Sequence, residues 1–363
     1  ALSGSFTQIG STGTVSLAGT ITTVGSIFFE APLILTGDTA LAGSQGITTG
    51  TITPGSSNPS LYLNAGSYPL SVTLGGSDSQ PFGSISMTAS SIALTGDLYS
   101  SGAIEMNGPI TISAPTSFQA IGSITLANPL NVIGGNWPLT LQSTSDQVSV
   151  KSLGDSSFLG SVTVTGSSVS LGGNILSTGS IEITGPTTVS SSSILRGDSG
   201  LILNGDLYAS TDFLDLSLQS TGGMIEVQNL GTDSLYLGSI EVPGHSFVSC
   251  GNLYSSRGII LSGTDIIFTG SHFVAATDVS ITNTNPITLP SLELALSGSF
   301  IQLGTGTVSL AGNIKTAESI AFAAPLFLTG DTALAGSQGI TTGTITPGSS
   351  NPALTLDAGA TNS

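Results

Sequence analysis

An identical internal repeat joins the two ends of the chain and constrains its fold more than any other feature. Residues 35–59, LTGDTALAGSQGITTGTITPGSSNP, recur unchanged at residues 328–352, an offset of 293. A long period of this kind is typical of solenoids, in which each repeat stacks on its neighbours. We therefore interpret residues 1–363 as a single continuous rod, with one long unit at 1–294 and the start of the next copy at 295–363.

A shorter period runs inside the long unit. The segment GSISMTASSIALTG from Gly83 aligns without gaps to GSVTVTGSSVSLGG from Gly160, an offset of 77. The same offset of 77 separates three single positions, one in each successive module, and an offset of 78 leads from the third to a fourth. These equivalent positions are Val15, Ile92, Val169 and Phe247. The unit is thus predicted to contain three modules and a shorter fourth.

Each module repeats at a still shorter interval. Stretches of alternating type, GSISMTA, GAIEMNG and GSITLAN, begin at Gly83, Gly102 and Gly122, with offsets of 19 and 20. Alternation of aliphatic and polar residues predicts strands that are buried on one face. Gly, Pro, Thr-Gly and Asn-Gly supply turns at intervals of about six to eight residues. Three short strands in each such repeat predict an all-β parallel β-helix.

The composition excludes several classes of function. Only 4 residues are Lys or Arg against 21 Asp or Glu, which gives a formal net charge of −17. So few cations cannot neutralise a run of phosphates, so neither nucleic acid nor anionic lipid is an expected partner. Apolar runs stay well below the ~18 residues of a membrane span, and we expect no direct membrane insertion. The lone Cys250 is predicted to be a small core residue.

The residue pattern of the repeats resembles that of known bacterial surface proteins. Turns such as GSITLAN from Gly122 and GSIEITG from Gly179, rich in Gly, Ser and Thr, resemble the repeats of filamentous-haemagglutinin-type exoproteins. They are also similar to the β-helical passengers of bacterial autotransporter adhesins, and the resemblance covers essentially the whole chain. It implies a right-handed parallel β-helix, export across a bacterial envelope and a role in attachment at the cell surface. The opening ALSGSF lacks Met and a signal peptide, so we expect a mature protein or a segment of a longer one.

One tripeptide is a candidate receptor-binding motif. Arg196, Gly197 and Asp198 form an RGD sequence within SILRGDSGLIL. At an exposed turn this tripeptide presents a guanidinium and a carboxylate at opposite ends, which integrin-type receptors recognise. The alternative is an ordinary polar corner, because the related sequence LTGD occurs three times elsewhere, from Leu35, Leu94 and Leu328.

An enzyme that acts on polysaccharides is the main alternative class of function. Glycosidases need two or more converging carboxylates, and lyases need calcium-binding carboxylates beside a basic residue. Asp212 and Asp215 are the closest acidic pair, but at positions i and i+3 of a strand they point to opposite faces. His245 and His272 are expected to be isolated surface residues. A carboxylate cluster around a groove would favour the enzyme.

An ice-binding solenoid is a lesser alternative. Such a protein needs regular rows of Thr on one flat face, and GITTGTITPG places threonines at 48, 49, 51 and 53. The row is confined to the two end copies of the long repeat.

The sequence favours a structural and adhesive function without catalysis. We expect a segment of a giant repetitive fibre, secreted or held at a bacterial cell surface, that mediates attachment or contact with cells and matrix. Its expected partners are further copies of itself and glycans or receptors of neighbouring cells. No catalytic, metal-binding or cofactor-binding residues are predicted.

Overall fold

A computed structural model describes residues 1–55, 57–211, 213–348 and 351–359, with no account of the side chains of residues 245 and 246. Within these ranges all regular secondary structure is β-strand, and the strands pair in parallel. The predicted all-β parallel β-solenoid is therefore confirmed, with about 17 turns in total. The chain divides into two compact units, residues 1–179 with 183–185, and residues 180–182 with 186–363.

The first unit contains strands β1 to β20. Their bounds are β1 Phe6–Gln8, β2 Val15–Thr23, β3 Ile27–Phe29, β4 Leu33–Gly43, β5 Ile47–Pro54, β6 Leu61–Asn64, β7 Pro69–Leu74, β8 Ile85–Thr88, β9 Ser91–Thr95, β10 Leu98–Ser100, β11 Ile104–Asn107, β12 Ile110–Ile112, β13 Thr116–Ala120, β14 Ile124–Leu126, β15 Leu130–Val132, β16 Leu139–Ser143, β17 Gln147–Val150, β18 Val162–Thr165, β19 Ser168–Leu171 and β20 Ile175–Ser177. Strand β21, Ser180–Thr184, contains residues of both units.

The second unit contains strands β22 to β41. Their bounds are β22 Thr187–Val189, β23 Ser193–Gly197, β24 Gly200–Asn204, β25 Leu207–Ala209, β26 Leu216–Gln219, β27 Ile225–Val227, β28 Ile240–Cys250, β29 Leu253–Tyr254, β30 Ile259–Phe268, β31 Phe273–Val274, β32 Val279–Asn283, β33 Ile287–Thr288, β34 Leu292–Leu296, β35 Phe300–Gly304, β36 Val308–Thr316, β37 Ser319–Phe322, β38 Leu326–Gly336, β39 Gly339–Thr341, β40 Ile345–Pro347 and β41 Leu354–Asp357.

The core consists of columns of aliphatic side chains stacked along the direction of the ladder. In β8, Ile85 and Met87 are buried while the residues between them face outward, as the alternating sequence predicts. Ile104 in β11 pairs with Ile85 one turn before and with Ile124 one turn after. Burial of each such side chain contributes about 1.5–3 kcal/mol to folding. The core is therefore built turn by turn from equivalent positions.

The turns are less uniform in length than the sequence period predicts. The step from Val15 to its partner Leu33 is shorter than the predicted repeat, whereas the step from Leu61 to its partner Ile85 is longer. Some strands also run around a corner as one long element, such as β4, which has 11 residues. Its ladder with β2 shifts register between Leu17 and Gly19, and the glycine φ of +88° permits the bend. The chain thus turns corners at bulges within a strand as well as at the ends of strands.

The extension of the shorter period to Phe247 needs correction by one residue. Ile92 and Val169 are fully buried, but Phe247 lies half-exposed and its neighbour Val248 is buried. Val248 pairs with Ile266 of the next turn, which is also buried. Because a shift of one residue moves a strand side chain to the opposite face, Val248 occupies the inward position of the fourth module.

The two copies of the long repeat fold in the same register. In the first copy Val15 pairs with Leu33, and Gly19 pairs with Thr39 across the bulge. In the second copy the ladder of β36 with β38 repeats every one of these pairs, including the bulge between Leu310 and Gly312. The aromatic pair Phe6–Phe29, with ring centroids 5.1 Å apart, also recurs as Phe300–Phe322 at 5.3 Å. Near-identical sequence thus gives the same pairing at both places.

The second copy begins directly on the last turn of the first. Strands β33 and β34 pair in parallel with β36, so that Ile287 faces Val308 and Leu292 faces Gly312. Strand β32 pairs in the same way with β35. The junction between successive copies of the long unit is therefore an uninterrupted parallel ladder.

Candidate functional site

The RGD tripeptide lies at the end of strand β23 and the following turn. Arg196 and Gly197 belong to the strand, whereas Asp198 begins the turn. The Arg196 Nε donates a hydrogen bond to Asp198 Oδ1 at 2.9 Å, and both side chains are partly buried. The carbonyl oxygen of Asp198 accepts a hydrogen bond from the Gly222 amide of the next turn at 2.9 Å. The guanidinium and the carboxylate are therefore paired with each other in this structure.

This geometry defines what recognition of the tripeptide requires. A receptor that binds the guanidinium and the carboxylate separately must first break the Arg196–Asp198 ion pair. An ion pair of this exposure contributes up to about 1 kcal/mol, so breaking it is a modest cost. Receptor binding by Arg196, Gly197 and Asp198 stays a prediction.

The structure shows a second candidate surface, at a corner that recurs three times along the chain. A loop leaves the solenoid wall at residues 76–82, 154–159 and 231–237, and each loop carries an Asp, namely Asp78, Asp155 and Asp233. The residue that ends each loop forms a parallel bridge with a serine of the next turn. These pairs are Phe82–Ser100, Leu159–Ser177 and Leu237–Ser255. The three corners are thus structurally equivalent.

Hydroxyl groups hold the three corners in the same way. The first serine of each corner donates to a glycine carbonyl of the preceding turn: Ser100 to Gly83 at 3.0 Å, Ser177 to Gly160 at 2.7 Å, and Ser255 to Gly238. The next hydroxyl donates to the carbonyl that precedes that glycine: Ser101 to Phe82, Thr178 to Leu159, and Ser256 to Leu237. These bonds satisfy buried carbonyls where the chain turns away from the ladder. They fix the position of the side chain that precedes each pair.

In the first corner that side chain is Tyr99, which lies in a groove of about 160 Å³. Asp78, Gln119 and the exposed side chain of Ile121 line the same groove. Partial burial raises the pKa of the Tyr99 hydroxyl, and the carboxylates of Asp97 and Asp78 add to the effect. Tyr99 therefore stays neutral near pH 7 and can donate a hydrogen bond. An apolar ring beside a carboxylate and an amide suits a ligand with an apolar face and several hydroxyl groups.

In the third corner the equivalent residue is Tyr254, at an offset of 155 from Tyr99. Its ring packs edge-on against Tyr236, with centroids 6.1 Å apart, and stacks on the imidazole of His272 at 5.9 Å. Partial burial raises the pKa of Tyr254, and Asp233 and Tyr236 add to the effect. His272, expected to be isolated, is thus the exposed end of a ladder of three rings.

The middle corner has leucine where the other two have tyrosine. Leu176 stands at the position of Tyr99 and Tyr254, and the carboxylate of Asp155 accepts a hydrogen bond from Asn174 at 3.0 Å. Residue alternation does not predict these corners, because their loops interrupt it. The offset of 155 that relates GSDSQPFGS to GTDSLYLGS is the sequence signal that marks them.

No protein-family profile matches the chain, and neither a curated protein nor a solved structure gives a significant match.

The predicted acidic pair is described only in part, because Asp212 lies outside the described residues. The Asp215 carboxylate accepts a hydrogen bond from the Ser239 amide at 2.7 Å and lies 3.3 Å from the Arg257 guanidinium. Partial burial opposes ionisation, but the Ser239 bonds and Arg257 outweigh it and lower the pKa of Asp215. Arg257 also lies 5.8 Å from the centroid of Phe213, a cation–π contact. The side chain of His245 is likewise outside the described part of the chain.

Cys250 is a core residue, as predicted. It lies in β28 with 1 % of its surface exposed. Burial raises the pKa of the thiol to about 12. The thiolate, the reactive form of cysteine, is therefore strongly disfavoured at neutral pH.

In the first copy of the long repeat, the threonine row does not form one exposed face. Thr48 is exposed, but Thr49 is only 8 % exposed, and its hydroxyl has no hydrogen-bond partner in the described structure. Glycine at position 50 interrupts the alternation, and Thr51 and Thr53 are half-buried.

The second unit also carries a wide shallow depression of about 500 Å³. Its lining consists of uncharged small residues, mainly threonine, serine and glycine: Thr221, Gly222, Gly244, Ser262, Gly263, Thr264, Thr282 and Thr284. Such a surface offers hydroxyl groups at many points without a charged group to define one bound orientation.

Metal clusters and long apolar helices are absent from the part of the chain that the structure describes. No group of three or more His, Cys, Asp or Glu side chains among the described residues is close enough to hold a metal ion. The same residues contain no helix of the length and apolarity that crossing a membrane requires.

Proposed function

We propose that the chain is a structural and adhesive segment of a giant repetitive fibre that is secreted or held at a bacterial cell surface. The junction between the two copies of the long unit is the observation that carries this proposal. There β32, β33 and β34 of one copy continue into β35 and β36 of the next through parallel ladders. A chain that joins its own copies without a break in the core suits an extended array.

The adhesive part of the proposal rests on the surfaces outside the core. The first corner combines Tyr99 with the carboxylate of Asp78 in one groove, and the third corner places the ring of Tyr254 within the electrostatic influence of Asp233. The depression of the second unit adds a broad hydroxyl-rich area. We propose that these surfaces bind glycans of neighbouring cells, each weakly, and that repetition in an array multiplies the attachment.

A polysaccharide-active enzyme is the competing proposal. It needs at least two carboxylates that converge on one groove. Among the described residues, Asp78 is the only carboxylate that lines the groove at Tyr99, and the lining of the depression contains none. These observations favour binding over cleavage at the two described surfaces.

The test is binding of the immobilised chain to a panel of neutral and acidic polysaccharides and to cultured cells. We expect retention of at least one polysaccharide without release of reducing ends or unsaturated uronates. Replacement of both tyrosines by leucine, Y99L with Y254L, copies the natural middle corner at Leu176 and should weaken binding several-fold. Release of shorter products, or binding of no polysaccharide and no cell, would overturn the proposal.

The converse variant, L176Y, is the matched control. It adds a ring in strand β20 at the middle corner, beside a loop of the same architecture. We expect L176Y to preserve or raise the binding, whereas a loss comparable to that of Y99L with Y254L would show that the corners do not bind through the ring.

A further inference from the structure

We propose that the first turn of the chain, residues 2–23, is a docking surface for the end of a preceding copy of the same unit. The occupant is a second copy of residues 276–296. This inference rests on the proposed repetitive array and names the surfaces that join its units.

The internal junction shows which residues such docking covers. Phe300, Val308 and Leu310 are 0 % exposed beneath the preceding turn. Their counterparts in the first copy, Phe6, Val15 and Leu17, are all partly exposed although the sequence around them is nearly identical. Strands β1 and β2 therefore carry the inward pattern of a covered turn on a surface that is open in this chain.

A buried amide pair gives the junction its specificity. Gln302 Nε2 donates a hydrogen bond to Asn283 Oδ1 at 2.8 Å, and Asn283 Nδ2 donates to the Gly306 carbonyl at 3.0 Å. Both side chains are at most 1 % exposed. The counterpart of Gln302 is Gln8, whose Nε2 instead donates to the nearby Gly10 carbonyl at 3.1 Å. Buried polar pairs of this kind specify register, because a shifted partner leaves the amides unsatisfied.

The oxygen of the same amide makes one equivalent hydrogen bond in both copies. Gln302 Oε1 accepts from the Ala324 amide at 3.1 Å, and Gln8 Oε1 accepts from the Ala31 amide at 3.0 Å. The contact with the following turn is therefore already made in the first copy. The contact that Gln8 lacks is the one with a preceding turn.

Glycine at position 4 is an independent indication. Its counterpart, Gly298, has no room for a side chain, because a Cβ there would collide with the Asp278 carboxylate, which accepts a hydrogen bond from the Ser299 amide at 2.8 Å. Around Gly4 nothing in the described structure lies within 4 Å of the Cβ position, and its φ is outside the left-handed region. Neither space nor backbone conformation requires glycine at position 4 in this chain. A docked copy of Asp278 would require it.

These observations favour a copy of this chain over any other apolar partner. The open face presents an array of backbone groups in the register of β32 to β34, a glycine where Asp278 fits and an amide where Asn283 fits. An unrelated strand would pair with the backbone groups but would supply neither the Asp278 carboxylate nor the Asn283 amide. The surface is thus complementary to one end of its own unit.

The experiment compares the full chain with a tandem chain that carries one more copy of residues 1–294 before Ala1. Amide hydrogen exchange is measured for strands β1 and β2 of the following copy. We expect protection to rise at least ~10-fold on extension, toward that of β35 and β36 in the same molecule. Equal exchange with and without the extension would overturn the proposal.

Two variants separate specific docking from simple proximity. G4V is expected to leave exchange unchanged in the full chain but to remove the added protection when placed in the second copy of the tandem chain. N283L in the first copy of the tandem chain should remove part of the added protection. Protection that survives both variants would contradict the proposed geometry. The polysaccharide-binding test uses the unextended chain, so the two proposals fail independently.

Discussion

Asn283 and Gln302 form a side-chain hydrogen bond of 2.8 Å inside the core of the second unit, across the junction of two repeat copies. The core is otherwise mostly aliphatic, and this polar contact lies where the sequence returns to its starting point. A hydrogen bond that adds little net stability can still select one alignment strongly, since any other leaves polar groups buried and unpaired.

Replacement of Gln302 by methionine tests that contact. Q302M deprives Asn283 Oδ1 and the Ala324 amide of their partner in a buried site. We expect the free energy of local opening to fall by about 1–3 kcal/mol, measured by hydrogen exchange over β32 and β35. The matched variant Q8M removes a half-exposed amide and should cost less than Q302M, below about 1 kcal/mol. Equal costs would contradict the role of burial.

Two equivalent leucines, one in each copy of the long unit, provide a second internal comparison. Leu63 is 2 % exposed and lies between Leu41 and Met87 of adjacent turns. Leu356, its counterpart in the second copy, is 50 % exposed. We expect L63A to lower the free energy of unfolding by about 2–5 kcal/mol and L356A by less than about 1 kcal/mol, measured by urea denaturation. A large effect of L356A would contradict the described packing of β41.

Alkaline pH is expected to destabilise the chain through Cys250. Burial raises the folded-state pKa from 9.0 to about 12, so the folded state holds the thiol proton more tightly than the unfolded chain. This contribution is fully present below pH 9 and is lost as pH rises toward the folded-state pKa, by up to about 1.4 kcal/mol per pH unit.

The measurement is stability against pH for the natural chain and for C250A. C250A is expected to be less stable near neutral pH, since it leaves a small cavity, but to fall less steeply in the alkaline range. Parallel pH profiles for the two chains would show that the thiol proton does not contribute.

The Arg196–Asp198 pair predicts how the RGD turn responds to substitution. An ordinary polar corner is the interpretation that the ion pair favours, so D198E should leave attachment to integrin-bearing cells unchanged. R196A should change stability by less than about 1 kcal/mol because the pair is partly exposed. Loss of attachment with D198E, reproduced by competition with a soluble RGD peptide, would show instead that a receptor uses the tripeptide.

Much of the fold follows from residue alternation. Stretches such as GSISMTA and GAIEMNG place Ile85 and Ile104 inward and make them neighbours, because a period of two sets the face and the glycines set the corners. The burial of Cys250 follows from a separate local argument, that a lone cysteine behaves as a small core residue. These features depend on residues close together in the chain, so they can be predicted from a single sequence.

Other features depend on contacts between turns. The inward choice of Val248 over Phe247 is made by pairing with Ile266, since either side chain is apolar enough for the core. The corner at Tyr254 depends on loop geometry that brings Tyr236 and His272 against one ring. Likewise the role of Asn283 emerges only when the turns are stacked and its amide meets that of the next turn. The sequence alone does not distinguish these residues from the other apolar, aromatic and polar residues of the chain.

The shared register of the two copies has a consequence for how the gene can change in length. Because residues 35–59 and 328–352 are identical, an exchange between them at any point removes or adds one whole unit and creates no new local sequence. In a lengthened product, residues of β4 from Leu35 onward would follow the start of β38 and keep the pairing that β38 has with β36 now. Unequal recombination can therefore lengthen or shorten such a gene in whole units, and every product inherits a core that already fits.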